Sequence, residues 1–286
     1  MIDRHYHIID TATGEVVGDK TLKEGQTFRV VDTNSTEAFK RKKDGELRLI
    51  DPYYHILYEY GKPLYPNLTP LERARLLLLG SYLTYGHKLF DDNRNKIKKS
   101  SLTKIWNTSN RAEINKTFNK LKNLGYIDID EEGYIVLNEE LMVKGSVEPP
   151  KSKTYTRIFG EKLQDVWEAT PVRKRKQLGY LVALIPYLHY DTNILVKNPA
   201  ERDTDKLEPL SWTEIAEICG IEAESKNINR FMRDLTSFKW NTKQIVAEFG
   251  TRSPRKYRVL VNPILTYAGS SLKEWEKVVK IFDTLK

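Results

Sequence analysis

The sequence predicts a mainly α protein with small β-hairpins, of the α+β class, and three observations lead to this prediction. The chain repeats its own phrases in one order, about a hundred residues apart, which is typical of a duplicated domain. Within each copy, apolar residues recur at helical spacing and are followed by two strand-like runs around a turn. The chain is 40% hydrophobic, which separates it from disordered sequences.

Four phrases occur twice. The clearest pair closes the two units, where an Asn is followed seven residues later by a Gly, at Asn138 and Gly145 and again at Asn262 and Gly269. The other pairs are Thr69 through Leu89 with Thr170 through Ile194, Ser101 through Ile105 with Ser211 through Ile215, and Ile114 through Leu121 with Ile228 through Leu235. A tandem duplication follows, and 286 residues are enough for two compact domains.

The first 60 residues are polar and extended in pattern, with no counterpart in the second unit. Apolar pairs at 8–9 and 16–17 flank a turn-rich phrase, which predicts a β-hairpin, and two further strands are expected near 28–31 and 46–50. The predicted division is a β-rich N-terminal arm at 1–60, a first domain at 61–145, a Pro-containing linker at 146–156 and a second domain at 157–286 that ends in a helix.

Helix signals order the first unit. Thr69 and Pro70 are a cap and a first helical residue, and the helix is expected to run to Tyr85. Ser109 is expected to cap a later helix and Gly125 to end it. That helix is expected at 110–123 and a shorter one before it at 99–107, and a hairpin with its turn at 132–133 is expected at 126–137. Three helices followed by a two-stranded hairpin is the order of a winged helix-turn-helix domain.

The second unit is expected to repeat this order. Its helices are expected at 158–169, 172–189, 213–219 and 225–238, its longer hairpin at 245–261 and its closing helix at 272–285. The predicted architecture is therefore a pair of tandem winged helix-turn-helix domains behind a β-rich arm.

The second helix of a helix-turn-helix enters the major groove, so its exposed face is a candidate DNA-binding surface. Asn can bond bidentately to adenine and Arg to guanine, whereas Lys mostly neutralises phosphate. The expected DNA-binding residues are Asn110, Arg111, Asn115, Lys116, Asn119 and Lys120 in the first unit, and Lys226, Asn227, Asn229, Arg230 and Arg233 in the second. The tip of the second hairpin adds Arg252, Arg255 and Lys256 for contacts to the backbone or the minor groove. A solvated surface is the usual interpretation of a Lys-rich helix face, but fold order, Asn content and charge sign agree in both units and favour groove reading.

Charge and composition bound the partners. The 47 Lys and Arg against 39 Asp and Glu give a net charge of +8, which suits a polyanion such as DNA. A basic run at 173–176 opens a helix, where the helix dipole disfavours cations, so packing does not obviously require it. The single cysteine, Cys219, excludes an internal disulfide and is expected to be a small buried apolar residue. No segment reaches membrane-spanning length, so a cytoplasmic chain with no membrane partner is expected.

No enzyme activity, cofactor or metal is expected, although two other classes stay open. His5 and His7 have the spacing by which rolling-circle nucleases hold a metal, but a strand with chance histidines is the preferred interpretation. The first alternative is a protein-interaction adaptor whose winged helices serve as scaffolds. The acidic first hairpin is compatible with one unit binding DNA and the other binding a protein.

The phrase Val261-Asn262-Pro263-x-Leu265, followed by Gly269 and Trp275, carries a resemblance. The second unit resembles RepL-type plasmid replication proteins of Gram-positive bacteria and related phage winged-helix proteins, best over 170–275 and more weakly over 69–145. The resemblance implies a double-stranded DNA-binding protein of phage or plasmid type, a replication initiator or transcriptional regulator associated with nucleoid, plasmid or phage DNA. A second copy of the chain, forming a homodimer, and replication or transcription proteins are further possible partners. Two units in tandem favour a DNA site whose two half-sites form a direct repeat.

Overall fold

The computed structural model of the chain describes residues 4–9, 16–22, 52–85, 87–145, 150, 152–222, 224–250, 257–269 and 271–284. The described residues form a mixed α+β structure with small antiparallel sheets. The chain divides into two compact units, Met1–Lys42 and Lys43–Lys286.

The compact unit Met1–Lys42 contains a β-hairpin. Strand β1 (Arg4–Ile9) pairs antiparallel with β2 (Val16–Leu22), which confirms the hairpin predicted from the turn-rich phrase. The two strands predicted near 28–31 and 46–50 lie outside the described residues.

The compact unit Lys43–Lys286 holds the helices and the remaining strands. The helices are α1 (Pro70–Gly80), α2 (Leu102–Ile105), α3 (Arg111–Asn123), α4 (Gly160–Ala169), α5 (Lys176–Leu184), α6 (Trp212–Ile218), α7 (Ser225–Thr236) and α8 (Leu272–Thr284). The strands are β3 (Tyr53–Tyr58), β4 (Ile127–Ile129), β5 (Ile135–Leu137), β6 (Met142–Val143), β7 (Thr154–Phe159), β8 (Lys239–Trp240), β9 (Lys243–Gln244), β10 (Val246–Gly250), β11 (Tyr257–Val261) and β12 (Thr266–Tyr267). Within the described ranges, no helix has both the length and the apolar content needed to cross a membrane.

Capping chemistry explains where α1 begins. The Thr69 hydroxyl accepts a hydrogen bond from the Glu72 N–H, and the Glu72 carboxylate accepts one from the Thr69 N–H, so two otherwise unpaired donors are satisfied. The helix ends at Gly80, five residues before the predicted Tyr85. A Cβ at Gly80 would lie 2.5 Å from the ring of Tyr54, so the helix end packs directly on strand β3.

The helix α3 agrees closely with its predicted range of 110–123. Its cap is Asn110, whose Oδ1 accepts a hydrogen bond from the Glu113 N–H at 3.1 Å, so the prediction of Ser109 as the cap was wrong by one residue. At the other end Gly125 has φ +69°, a conformation that glycine adopts without strain, and the Tyr126 N–H donates to the carbonyl of Leu121. This confirms that Gly125 ends the helix.

The predicted bounds differ from the structure at several other places. The range 99–107 holds a short 3-10 turn before α2, and the range 172–189 is divided into α5 and two flanking 3-10 turns. Residues 158–159, predicted as helix, end strand β7. The hairpins predicted at 126–137 and 245–261 both form near those positions, as β4 with β5 and as β10 with β11.

A four-stranded antiparallel sheet lies within the compact unit Lys43–Lys286, in the order β12–β7–β3–β6. Its inner strands β3 and β7 pair over their whole lengths, with His55 opposite Arg157. Strand β3 belongs to the range predicted as the arm, and residues 154–156, predicted as the end of the linker, form the first half of β7. The sheet therefore joins residues from both sides of the predicted linker.

The main core packs against one face of this sheet. It includes Ile56 of β3, Leu76 of α1 and Val182 of α5, each with no exposed area, and each such burial contributes about 1.5–3 kcal/mol. The helices α1 and α5 cross closely at Gly179, where a Cβ would lie 1.6 Å from the carbonyl oxygen of Pro70. Only glycine fits at this crossing.

Candidate nucleic-acid interface

Two helix pairs are each followed by a hairpin: α2 and α3 precede β4 and β5, and α6 and α7 precede β10 and β11. In the second of these arrangements, Trp212 at the start of α6 fixes the hairpin. Its indole Nε1 donates to Glu248 of β10 at 3.1 Å, and its backbone N–H donates to the hydroxyl of Tyr257 of β11 at 3.0 Å. The hairpin and the helix pair are therefore held in one orientation.

The helix α3 has one buried and one polar face. Ile114, Phe118 and Leu121 enter the core at the spacing of one helix face. The exposed candidates on α3 are Arg111, Asn115, Lys116 and Asn119. Within the described ranges none of these four side chains has a hydrogen bond or an ion pair, so their donors and charges face solvent.

The helix α7 repeats this arrangement. Phe231 and Leu235 are buried, and the Phe231 ring packs edge-on against Tyr180 with centroids 5.1 Å apart. The exposed candidates on α7 are Lys226, Asn229, Arg230 and Arg233. These side chains also lack a hydrogen bond or ion pair in the part of the chain that the structure describes.

The repeated phrases align the two faces residue by residue. Leu121 and Leu235, equivalent in the phrases, both have no exposed area and so fix the rotation of each helix on its core. The equivalent exposed positions are Asn115 with Asn229, Lys116 with Arg230 and Asn119 with Arg233. Two helices in different parts of the chain thus present amide and cationic donors at the same three positions.

Three predicted site residues have partners within the protein. Asn110 is the cap of α3, and half-buried Asn227 lies with its Nδ2 3.5 Å from Glu224. Lys120 is half-buried, and its Nζ lies 2.8 Å from Glu72 Oε2. These three residues therefore differ from the exposed candidates on α3 and α7, whose side chains face solvent.

The partner of Lys120 is a carboxylate that has lost most of its water. Burial alone would raise the pKa of Glu72, but the hydrogen bonds from Lys120 and from the Thr69 N–H outweigh it, and the pKa lies below its usual value. Because Glu72 also caps α1, Lys120 stabilises the helix start, and its charge is largely used within the fold.

Three acidic residues of the first hairpin have partners within their own repeat. Asp128 lies 3.3 Å from Lys122, and Glu132 forms an ion pair with Lys96. Asp130 accepts hydrogen bonds from the backbone of the turn, including the N–H of Tyr134 at 2.8 Å. These pairings reduce the negative field of this hairpin.

The second hairpin carries candidates that the structure describes only in part. Arg252, Arg255 and Lys256 lie outside the described residues. Next to them, Phe249 is 44% exposed and faces half-buried Arg258 across the strand pair. The sequence analysis missed this aromatic–basic pair, because it depends on the register that places Phe249 opposite Arg258.

The basic run at 173–176 has two roles. Arg173, Lys174 and Lys176 are exposed, whereas Arg175 is only 3% exposed. The Arg175 Nη1 donates to the carbonyl of Trp106 at 2.8 Å, and its guanidinium lies 4.5 Å from the ring centroid of Trp167. The interpretation that packing does not require this run was wrong for Arg175, which bonds to the backbone that follows α2.

The remaining sequence candidates are also placed. His5 and His7 lie on β1 opposite Thr21 and Asp19. Among the residues that the structure describes, no group of three or more His, Cys, Asp or Glu side chains could hold a metal ion. Cys219 is buried, its Sγ lies 3.8 Å from the Tyr180 carbonyl oxygen, and burial raises the pKa of its thiol, which confirms the expected buried residue.

Comparisons with protein-family models, with curated proteins and with solved structures find no match for this chain. Its function is therefore inferred from its own residues and geometry.

Proposed function

We propose that the chain is a sequence-specific, non-enzymatic protein that binds double-stranded DNA through two winged helix-turn-helix domains. One observation carries the proposal: α3 and α7 present exposed amide or cationic side chains at the same three positions, Asn115 with Asn229, Lys116 with Arg230 and Asn119 with Arg233. Asn is a poor helix former, so its repetition on two exposed helix faces is not explained by helix stability.

The order of elements supports the winged-helix assignment. In each repeat two helices precede a hairpin, and in the second repeat Trp212 ties that hairpin to the start of α6. In a helix-turn-helix the second helix lies in the major groove, which assigns base contacts to α3 and α7. The hairpins then lie beside the groove, where basic residues at 252–256 would meet phosphates.

The exposed residues divide by chemistry. Asn115 and Asn229 are assigned to adenine, since the amide NH2 can donate to adenine N7 while the amide oxygen accepts from the N6 amino group. Arg230 and Arg233 are assigned to guanine. Lys116 is assigned to phosphate. Each bidentate base contact contributes about 1–3 kcal/mol of discrimination against the wrong base.

The cellular role follows from the resemblance to RepL-type and phage winged-helix proteins. We propose a replication initiator or transcriptional regulator of phage or plasmid type, located in the cytoplasm on nucleoid, plasmid or phage DNA. Both roles require the same recognition of a duplex, so the first test concerns binding.

The test is selection of bound duplexes from a random pool at physiological salt with competitor DNA. Enrichment of a motif is expected, and Arg230→Ala combined with Arg233→Ala should weaken binding to it by about 1–3 kcal/mol per lost base contact. Arg202→Ala removes an exposed arginine outside the two helices and is the matched control. If no motif is enriched and binding vanishes as salt rises, only charge attraction is left. The protein-adaptor function would then be preferred.

A further inference from the structure

The four-stranded sheet has a local two-fold axis, which passes between His55 and Arg157. These residues face each other at the centre of the β3–β7 pairing. A half-turn about this axis exchanges the residue pairs that lie on either side of His55 and Arg157. The equivalent pairs are Tyr53 with Phe159 and Tyr155 with Leu57. The strands also share a short phrase, since Tyr53 and Ile56 have the spacing of Tyr155 and Ile158.

The outer strands obey the same rotation. Val143 of β6 lies opposite His55, and Tyr267 of β12 lies opposite Arg157. The hydrogen bonds beside them match as well. The Leu57 N–H donates to the carbonyl of Leu141 at 2.9 Å, and the Phe159 N–H donates to that of Leu265 at 3.1 Å. All four strands of the sheet therefore follow one axis.

Equivalent bonds extend the match from the sheet to the hairpins. Asn138 and Asn262, the most evident repeated residues of the sequence, make the same two side-chain bonds. Their Nδ2 atoms donate to the carbonyls of Gly125 at 2.9 Å and Gln244 at 3.0 Å, and their Oδ1 atoms accept from the N–H of Glu140 at 2.9 Å and of Ile264 at 3.1 Å. Each repeat thus joins its hairpin to the residues leading to its outer strand in the same way.

A second set of equivalent bonds lies on the other side of each hairpin. The Leu137 N–H donates to the carbonyl of His87 at 3.1 Å, and the Val261 N–H donates to that of Asn193 at 3.0 Å. Both acceptors have positive φ, +63° at His87 and +52° at Asn193. A left-handed non-glycine residue recurring at one position shows that the repeats share backbone detail.

The helices α3 and α7 are buried through equivalent residues, Leu121 and Leu235, and precede hairpins held by equivalent bonds, so we extend the rotation of the sheet to their exposed faces. A DNA duplex has two-fold axes perpendicular to its length, and a reader with two-fold symmetry binds half-sites in inverted orientation. We propose that one chain reads an imperfect inverted repeat, and not the direct repeat that tandem order alone favours. This inference rests on the proposed DNA binding.

The two half-sites are predicted to differ where equivalent residues differ. Arg230 reads a guanine, whereas its equivalent, Lys116, contacts phosphate and reads no base. Asn115 and Asn229 are equivalent, so both half-sites share an adenine there. Asn119 is equivalent to Arg233, so at that position one half-site carries adenine and the other guanine. The two half-sites lie on one face of the duplex, with centres separated by about 10 base pairs or a multiple of this.

The test begins with selection from the random pool, using the whole chain. An enriched inverted repeat, bound by one chain per duplex in native mass spectrometry, is the expected result. A direct repeat, a single half-site or two chains per duplex would overturn this inference while leaving sequence-specific DNA binding intact. Failure to enrich any motif would instead remove the proposed function, so the two failures are distinguishable.

Exchange of the unequal residues provides the second test. Arg233→Asn should change one base in one half-site and make the enriched motif more nearly palindromic. Its affinity for the original site should fall roughly 5- to 150-fold and be regained on the more palindromic site. Asn119→Arg should do the same in the other half-site. Arg202→Asn is the control and should leave the motif unchanged. If both exchanges altered the same half-site, or neither altered the motif, the assignment of two inverted half-sites would be wrong.

Discussion

His55 and Arg157 occupy the centre of the contact between the repeats, and the same two tyrosines flank both of them. The His55 ring lies edge-on to Tyr53 and Tyr155, with centroids 5.2 and 4.9 Å apart. The Arg157 guanidinium lies 5.4 and 5.6 Å from those rings. Arg157 is 1% exposed and donates to the carbonyl of Gly269 at 2.8 Å, so its charge is held by a specific set of partners. A strand slip by one residue would move these side chains to the opposite face of the sheet, which disfavours other registers.

Two lysines on α3 should differ in their effects. Lys120→Ala leaves the carboxylate of Glu72, which is 8% exposed, without its cation, and should reduce the free energy of unfolding by about 1–3 kcal/mol. Lys116→Ala removes an exposed lysine and should change stability by less than about 0.5 kcal/mol. Urea denaturation of the two variants measures both effects. Equal losses would show that the Lys120–Glu72 pair has no special role.

Within the basic run, only Arg175 should matter to folding. Arg175→Met leaves the carbonyls of Trp106 and Asn107 without their donor and should cost about 2–3 kcal/mol. Arg173→Met, two residues earlier on the surface, is the control and should stay within about 0.5 kcal/mol. Thermal unfolding followed by circular dichroism separates them. A stable Arg175→Met variant would contradict the role of these bonds.

The crossing of α1 and α5 should not tolerate a methyl group. In Gly179→Ala the new Cβ would overlap the carbonyl oxygen of Pro70, 1.6 Å away, so the helices must separate at a cost of about 3 kcal/mol. Gly250→Ala is the matched substitution, since no atom of the residues that the structure describes lies within 4 Å of its Cβ position. Equilibrium unfolding in urea gives both values. A Gly179→Ala variant as stable as Gly250→Ala would show that the crossing is looser than described.

Glu214 should make the stability depend on pH in the acid range. The ammonium of Lys197, 2.6 Å away, and the N–H and hydroxyl of Ser211 hold the pKa of Glu214 at about 2, against 4.5 in the unfolded chain. A carboxylate whose pKa is lower in the folded state stabilises that state fully above pH 4.5, and the contribution is lost as the pH falls from 4.5 towards 2. The stability difference between the protein and Glu214→Gln should therefore shrink between pH 5 and pH 3 in urea titrations. A constant difference would exclude the ionised carboxylate as its source.

Local sequence signals were enough to predict several elements. Caps and apolar spacing predicted α3, α6 and α7 to within a few residues, because these signals act over one or two turns. The same spacing predicted that Asn115 and Asn229 are exposed. The assignment of these side chains to DNA stays a prediction.

Contacts between distant parts of the chain escaped the sequence analysis. The strand β3 is buried on both faces, so it lacks the polar alternation of a half-buried strand, and its partner β7 follows the Pro-containing segment. The shared phrase of Tyr53 and Ile56 with Tyr155 and Ile158 was a signal for this pairing. The internal roles of Lys120 and Arg175 depend on partners far away in the chain, and no local pattern marks them.

The sheet shared by the two repeats has a consequence for how this protein can change. In a homodimer every substitution occurs twice, once in each half, and dilution can separate the halves. Here β3 and β7 belong to one chain, so the halves stay together at any protein concentration and a substitution enters only one of them. Asn119 and Arg233 are different residues at equivalent exposed positions, as this freedom permits.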